Sequence, residues 1–309
     1  MKLVKFSTSM GGTRAGAMLP DGAIVDLAVG FIKRGRHPVA IQDILGGDGL
    51  AAARDVVAEA VHDPKKAIAD GLVIPAAEAK LLPPAADRPF IVCAGSNYRA
   101  HIEEMKDTPP PTPMAFIKAP SAVIASGDSI KLPPSQNSMV DFEGELCVVF
   151  GRECSNVSAA DALKYVAGYT ILNDVSARDW VPKMRDPEIS TLISVGVMLM
   201  GKQFPGFCPL GPVVVTADEV SDLKSFHITT KLNGKVMQDA NTDDLYFDIP
   251  TLISTYSRYY TFQPGDVMST GSPPGVGMGR KPPVFMKPGD EVSVTVDGIG
   301  TLRNPIVAG

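Results

Sequence analysis

The densest chemistry in the chain is the run Asp141-Phe142-Glu143-Gly144-Glu145-Leu146. On a strand, residues i, i+2 and i+4 share a face, so Asp141, Glu143 and Glu145 are expected to crowd three negative charges together. Adjacent like charges destabilise a sheet, and burying them unpaired costs far more. Two arrangements relieve the conflict: an acidic face left in water, or a hard divalent cation, since Mg²⁺, Mn²⁺ and Ca²⁺ prefer carboxylate oxygens. A further carboxylate, Asp174, follows the apolar run Val166 to Leu172. It either enters the same site or caps the next turn.

His101 and Glu104 form a second constellation. Their i, i+3 spacing on a helix sets them side by side. A carboxylate beside an imidazole fixes its tautomer and raises its basicity, as a general base working on water requires. An ordinary surface pair is the alternative. Arg178 either grips a substrate carboxylate bidentately or pairs with Asp179 or Asp141. Lys118 and Lys202 are isolated cations in apolar stretches, either reaching for solvent or held for an anion. Thr270-Gly271 follows a strand and offers a hydroxyl and backbone N–H groups to a carboxylate, or makes a plain turn.

These groups must be positioned by many short elements. Pro (27) and Gly (29) are scattered along the 309 residues, a turn-rich pattern. The first 84 residues read as a small α/β domain, with strands at Leu3 to Phe6 and Gly22 to Leu27. A helix is predicted from Gly49 to His62, stopping before Pro64. Leu81-Leu82-Pro83-Pro84 marks the boundary, leaving 85–309 as a second domain. There, Pro89 to Gly95 reads as a buried strand, and Ser96 and Asn97 read as caps for a short helix from Arg99 to Met105. The helix meets Pro109-Pro110-Pro111, forming a movable lid or a surface connection. β-like runs then dominate: Leu146 to Phe150, Val166 to Leu172, Pro212 to Thr216, Phe226 to Leu232, Asp266 to Ser269 and Glu291 to Val296. Asn233-Gly234 signals a hairpin. The expected class is α+β, β-rich, a sandwich or barrel-like roll.

Composition removes other functions. The formal charge is −5 and no basic cluster stands out, which speaks against nucleic-acid binding. Cys93, Cys147, Cys154 and Cys208 have neither C-x-x-C nor zinc-finger spacing and fit a reducing compartment. The N-terminus lacks a signal-peptide core, and the stretch Leu192 to Gly201 is about half a membrane span of ~20 residues. A cytoplasmic protein is expected.

Taken in order, Asn97-Tyr98-x-x-His101-x-x-Glu104, Asp141 to Leu146, Gly168-Tyr169-Thr170, Asn173 to Trp180, Gly201-Lys202, Pro209-Leu210-Gly211-Pro212 and Pro264-Gly265-Asp266 to Gly277 resemble the fumarylacetoacetate hydrolase family, from about Phe90 to Pro305. That family includes acylpyruvate hydrolases, oxaloacetate decarboxylases and diacid isomerases. The resemblance implies Glu143, Glu145 and Asp174 as ligands of Mg²⁺ or Mn²⁺, with Asp141 outside the set. It implies His101 and Glu104 as a water-activating dyad on a mobile lid. Lys202 and the Thr270-Gly271 turn would contact substrate. A mixed β-sandwich roll, usually homodimeric, with a small N-terminal domain is the implied fold. Three positions depart from the pattern: Val181 where many members have Gln, Pro205 where many have Asp, and Ser272 where Thr is frequent. They bear on substrate identity rather than on the ligand set.

The activity expected on this basis is hydrolytic C–C cleavage of an acylpyruvate or 1,3-diketo acid. Decarboxylation or keto–enol isomerisation of a 2-oxo diacid would use the same site without an attacking water. A non-catalytic oligomeric binding protein is the reading from another class.

Overall fold

The computed structural model describes residues 1–309 apart from 10, 38, 39, 136, 182–185 and 187. Among the described residues, a twelve-stranded sheet forms the spine. At its centre Gly144–Phe150 pairs antiparallel with Val166–Asn173 on one side and Val267–Ser269 on the other. Ile91–Gly95 and Met114–Lys118 extend the latter side. On the other side come Cys208–Thr216 and then the N-terminal strand Lys2–Thr8, with Leu3 opposite Val214. The N-terminal 84 residues therefore share one sheet with the rest of the chain.

Each face of this sheet is covered. Side chains alternate along Gly144–Phe150, and Leu146, Val148 and Phe150 point to one side. There they meet Ile228, Val294, Val296 and Leu302 of a five-stranded sheet ordered 235–241, 227–232, 291–296, 300–307, 130–131. This is the sandwich layer. Cys147 and Val149 point the other way, into a core shared with Leu27, Phe31, Ile44, Ala53 and Val56 of the N-terminal helices. Each large side chain so buried contributes roughly 1.5–3 kcal/mol. The result is the β-rich α+β architecture expected, with helix, sheet and sheet in layers.

Several elements lie where the sequence places them. The helix Gly49–His62 and the strand Glu291–Val296 have the expected ends, and Asn233-Gly234 turns the hairpin joining His227–Leu232 to Lys235–Asn241. Two expectations are corrected. Ser96 and Asn97 do not cap the helix Arg99–Glu104; its N-cap is Tyr98, and the Asp244 carboxylate accepts the free Ala100 N–H at 3.0 Å. Nor is 141–145 one strand. Val140–Asp141 pairs with Ser176–Ala177, the ladder stops at Phe142 and Glu143, and a new strand opens at Gly144. The apolar stretch after Leu192 belongs to a helix, Thr191–Met200. No helix among the described residues is long and apolar enough to cross a membrane.

Candidate active site

The break in the acidic run builds the site. Glu143 donates its backbone N–H to Asn173 Oδ1 at 2.9 Å, and Asp174 returns its N–H to the Glu143 carbonyl at 2.8 Å. Positions 143 and 174 are thereby pinned side by side at the ends of two paired strands. Glu145, one residue inside its strand, completes the group: one oxygen from each of Glu143, Glu145 and Asp174 lies within 4.8 Å of the others, and all three residues are buried. Asp141 is turned away, accepting N–H groups from Gly277 (2.6 Å) and Met278 (3.1 Å).

Three cations surround these carboxylates. Lys202 Nζ donates to Glu143 Oε2 (2.8 Å), Asp174 Oδ2 (2.5 Å) and Ser176 Oγ (2.8 Å). Lys118 is 0% exposed and donates to Asp174 Oδ1 at 2.5 Å. Arg178 bridges Asp141 and Glu143, its Nε and Nη2 each 3.1 Å from Asp141 Oδ2. Burial opposes charge on Glu143, but Lys202 and Arg178 outweigh it and hold its carboxyl well below the ordinary range. Burial likewise opposes charge on Lys202, and Asp174 and Glu143 more than offset it.

Glu145 differs. Among the described residues no cation pairs with it, and its hydrogen-bond partner is the Ser269 hydroxyl. Burial first, then Asp174 and Glu143, push its carboxyl well above the ordinary range. Among the described residues four buried carboxyl groups meet three cations, so ionisation of Glu145 leaves an excess negative charge. An all-carboxylate donor set with an excess charge fits a hard divalent cation such as Mg²⁺ or Mn²⁺, with Ca²⁺ less demanding in geometry.

The second constellation also assembles. His101 Nδ1 lies 3.1 Å from Glu104 Oε2, the two side chains being 14% and 19% exposed. Their helix is tied down by Asn97, whose amide donates to the carbonyls of Thr270 and Phe247 and accepts the Phe247 N–H. A positive charge on His101 would favour the ionised form of Glu143, after the larger influences of Lys202 and Arg178.

The remaining expected contacts are placed as follows. Thr270 is fully buried and donates its hydroxyl to the Leu146 carbonyl at 3.0 Å. Gly271 donates its N–H to Ser269 Oγ at 3.3 Å. Lys118, Lys202 and Arg178 all touch carboxylates of the protein itself. Three contributors escaped the sequence reading. Ser269 and Ser176 hydrogen-bond the site, and Gln238 accepts the Gly144 N–H while its amide donates to Ser272 and Pro273. Gln238 lies 94 residues from Gly144, so spacing carries no trace of it.

Three clustered buried carboxylates and a His–Glu pair, on a sandwich roll, point to a class of enzymes that act on small organic acids. The chain belongs to the fumarylacetoacetate hydrolase family: the model described as "Fumarylacetoacetate (FAA) hydrolase C-terminal" matches residues 90–307. It is 41% identical over 235 residues to a mitochondrial oxaloacetate tautomerase of Homo sapiens, covering 76% of this chain and 72% of the relative. Among solved structures it resembles a 5-carboxymethyl-2-hydroxymuconate delta-isomerase of Mycobacterium smegmatis (TM-score 0.72, 32% identity, 100% and 99% of the two chains). It also resembles a maleylpyruvate hydrolase of Sphingobium sp. SYK-6 in complex with manganese(II) and pyruvate (TM-score 0.76, 28% identity, 100% of each chain).

Proposed function

We propose that the chain is a divalent-metal-dependent keto–enol tautomerase of a small 2-oxo diacid, oxaloacetate being the reference substrate. The observation that carries this reading is the burial of Glu143, Glu145 and Asp174 as one oxygen-donor group, in a chain that also assembles the His101–Glu104 pair. The tautomerase relative moves the emphasis from the hydrolysis expected above to isomerisation. Homodimeric assembly and a cytoplasmic setting are carried over from the sequence reading.

Glu143, Glu145 and Asp174 would hold Mg²⁺ or Mn²⁺ in this scheme, and the bound ion would supply Lewis-acid polarisation of the 2-oxo group. Lys202 and Lys118 fix the orientation of Asp174, and Lys202 and Arg178 that of Glu143, so the donor oxygens are preset. Glu104 engages His101 Nδ1, which leaves Nε2 free to face the substrate. His101 then takes the proton from the carbon next to the 2-oxo group as the C=C bond forms and returns it to the 2-oxo oxygen, which gives the enol and restores the imidazole. Tautomerisation needs no attacking water and breaks no C–C bond.

Hydrolysis of an acylpyruvate is the second reading, favoured by the same His–Glu pair, which is equally suited to activating water. Metal-stripped protein should be assayed with and without Mn²⁺ on enol-oxaloacetate and on an acylpyruvate in ¹⁸O-labelled water. Metal-restored enol loss without release of pyruvate or carbon dioxide is the expected result, and His101→Ala should slow it ~10²–10⁴-fold. Labelled acid released from the acylpyruvate, with enol-oxaloacetate untouched, would reverse the order of the two readings. Turnover of neither sinks both.

A further inference from the structure

The segment Gly275 to Gly279 is gripped from two sides. On one side Glu104 accepts the Gly275 N–H with both carboxylate oxygens, at 2.9 and 3.1 Å. On the other, Asp141 accepts the N–H groups of Gly277 and Met278 and pairs with Arg178, which in turn contacts Glu143. Arg280 braces the turn by donating Nη1 to the carbonyls of Met237 (2.9 Å) and Gly275 (3.3 Å). A single turn thus lies between the partner of the metal carboxylates and the partner of the imidazole.

Its three glycines are spaced for this job. Gly275 has φ +100°, and a Cβ there would sit 2.1 Å from the Met237 carbonyl oxygen. A Cβ on Gly277 would lie 1.9 Å from the Val284 carbonyl oxygen and 2.5 Å from Asp141 Oδ1. At Gly279 the obstacle is of another kind: the Glu104 carboxyl carbon at 2.5 Å, with Oε1 at 2.7 Å. Backbone cannot yield at the first two positions, whereas at the third only the end of a flexible side chain has to move.

We propose that the 275–279 turn is the receptor on which the helix Arg99–Glu104 docks, with Asp141 and Gly279 as positioning residues that fix the place of His101. Glu104 then has two tasks: it orients the imidazole, and it fastens the helix to the turn. The docking rests on the hydrogen bonds above. Its consequence for turnover rests on the proton-transfer role assigned to His101 under the proposed function.

Gly279→Ala is the selective probe, because the three atoms nearest its methyl group all belong to the Glu104 side chain. Hydrogen exchange of the amides of residues 99–105 should accelerate about tenfold or more, the scale of losing a charge-assisted hydrogen bond. kcat for the 2-oxo acid should fall by a similar factor, while Mn²⁺ affinity measured by calorimetry stays within about twofold. Glu104→Ala, at a partly exposed position, should produce the same exchange change if the glycine variant fails to fold. His101→Ala should slow turnover without accelerating exchange. Unchanged exchange in Gly279→Ala and Glu104→Ala overturns the proposal, as does equal acceleration in His101→Ala, which would assign the docking to the imidazole. Faster exchange with unchanged turnover in Gly279→Ala would leave the docking standing and overturn the positioning role assigned to Gly279.

Discussion

Glu145 shows how the site's function is written into a local instability. Glu143 and Asp174 have Lys202, and each has a second cation besides, whereas Glu145 relies on one hydroxyl. An uncompensated buried carboxylate costs free energy, and that cost is the attraction a divalent cation meets. Neutralising it should therefore separate stability from binding. Glu145→Gln keeps an acceptor for Ser269 and removes the group that burial drives to take up a proton, so at neutral pH the metal-free variant is expected to be more stable than the native chain by ~1–3 kcal/mol. Its thermal stabilisation by Mn²⁺ should shrink sharply, since that stabilisation follows affinity. Melting curves with and without Mn²⁺ decide the matter. A less stable metal-free variant that keeps the full Mn²⁺ shift would remove Glu145 from the ligand set.

At the scale of elements, Gly144 explains why two glutamates can flank a strand opening under a second sheet. A Cβ at Gly144 would sit 2.2 Å from Thr230 Oγ1 and 2.8 Å from Val294 Cγ1, both on the five-stranded sheet. Gly144→Ala must spread the sandwich or rotate Glu143 and Glu145 out of line, and overpacking of this kind costs ~1–3 kcal/mol. We expect a lower melting temperature together with a weakened Mn²⁺ shift; an unaltered variant in both respects would show that the sheets yield freely there. Such constraints bound what the sequence could reveal. Gly49–His62 was legible because its period and the following Pro64 speak locally, and Asn233-Gly234 because a tight turn is a two-residue signal. The Arg99–Glu104 helix was legible, but its cap was not, since Asp244 arrives from 144 residues away. Thr191–Met200 is apolar on nearly every side, so it carries no helical alternation to read. The ligand candidates stood out by charge density, whereas the Lys118–Asp174 pair, 56 residues apart, and the Gln238 bridge depend on strand order.

At the scale of the molecule, the question is whether the first 84 residues are an appendage or part of the body. The family match begins at residue 90, which invites the former view. The sheet argues for the latter: Lys2–Thr8 hydrogen-bonds to Cys208–Thr216, and the helices Leu27–Lys33 and Gly49–His62 cover the face that carries Cys147, Val149, Leu172 and Leu210. Removing them would expose an apolar sheet face and an unpaired strand edge, both open to association. The thiols make this measurable. All four cysteines are free and buried, and three of them, Cys93, Cys147 and Cys208, lie in the core that the N-terminal helices close. Burial pushes Cys208 up to about 12 and holds Cys93 and Cys147 well above the ordinary thiol range, so in the intact chain they are neither accessible nor ionised. Cys154 sits in the sandwich core on the opposite face, where burial pushes it up to about 11. The native chain of residues 1–309 should therefore resist iodoacetamide at neutral pH. A fragment of residues 85–309 should expose Cys93, Cys147 and Cys208 to alkylation before Cys154, and should lose the cooperative thermal transition. If the fragment instead melts cooperatively with silent thiols, the covering helices are dispensable and the unit is an appendage after all.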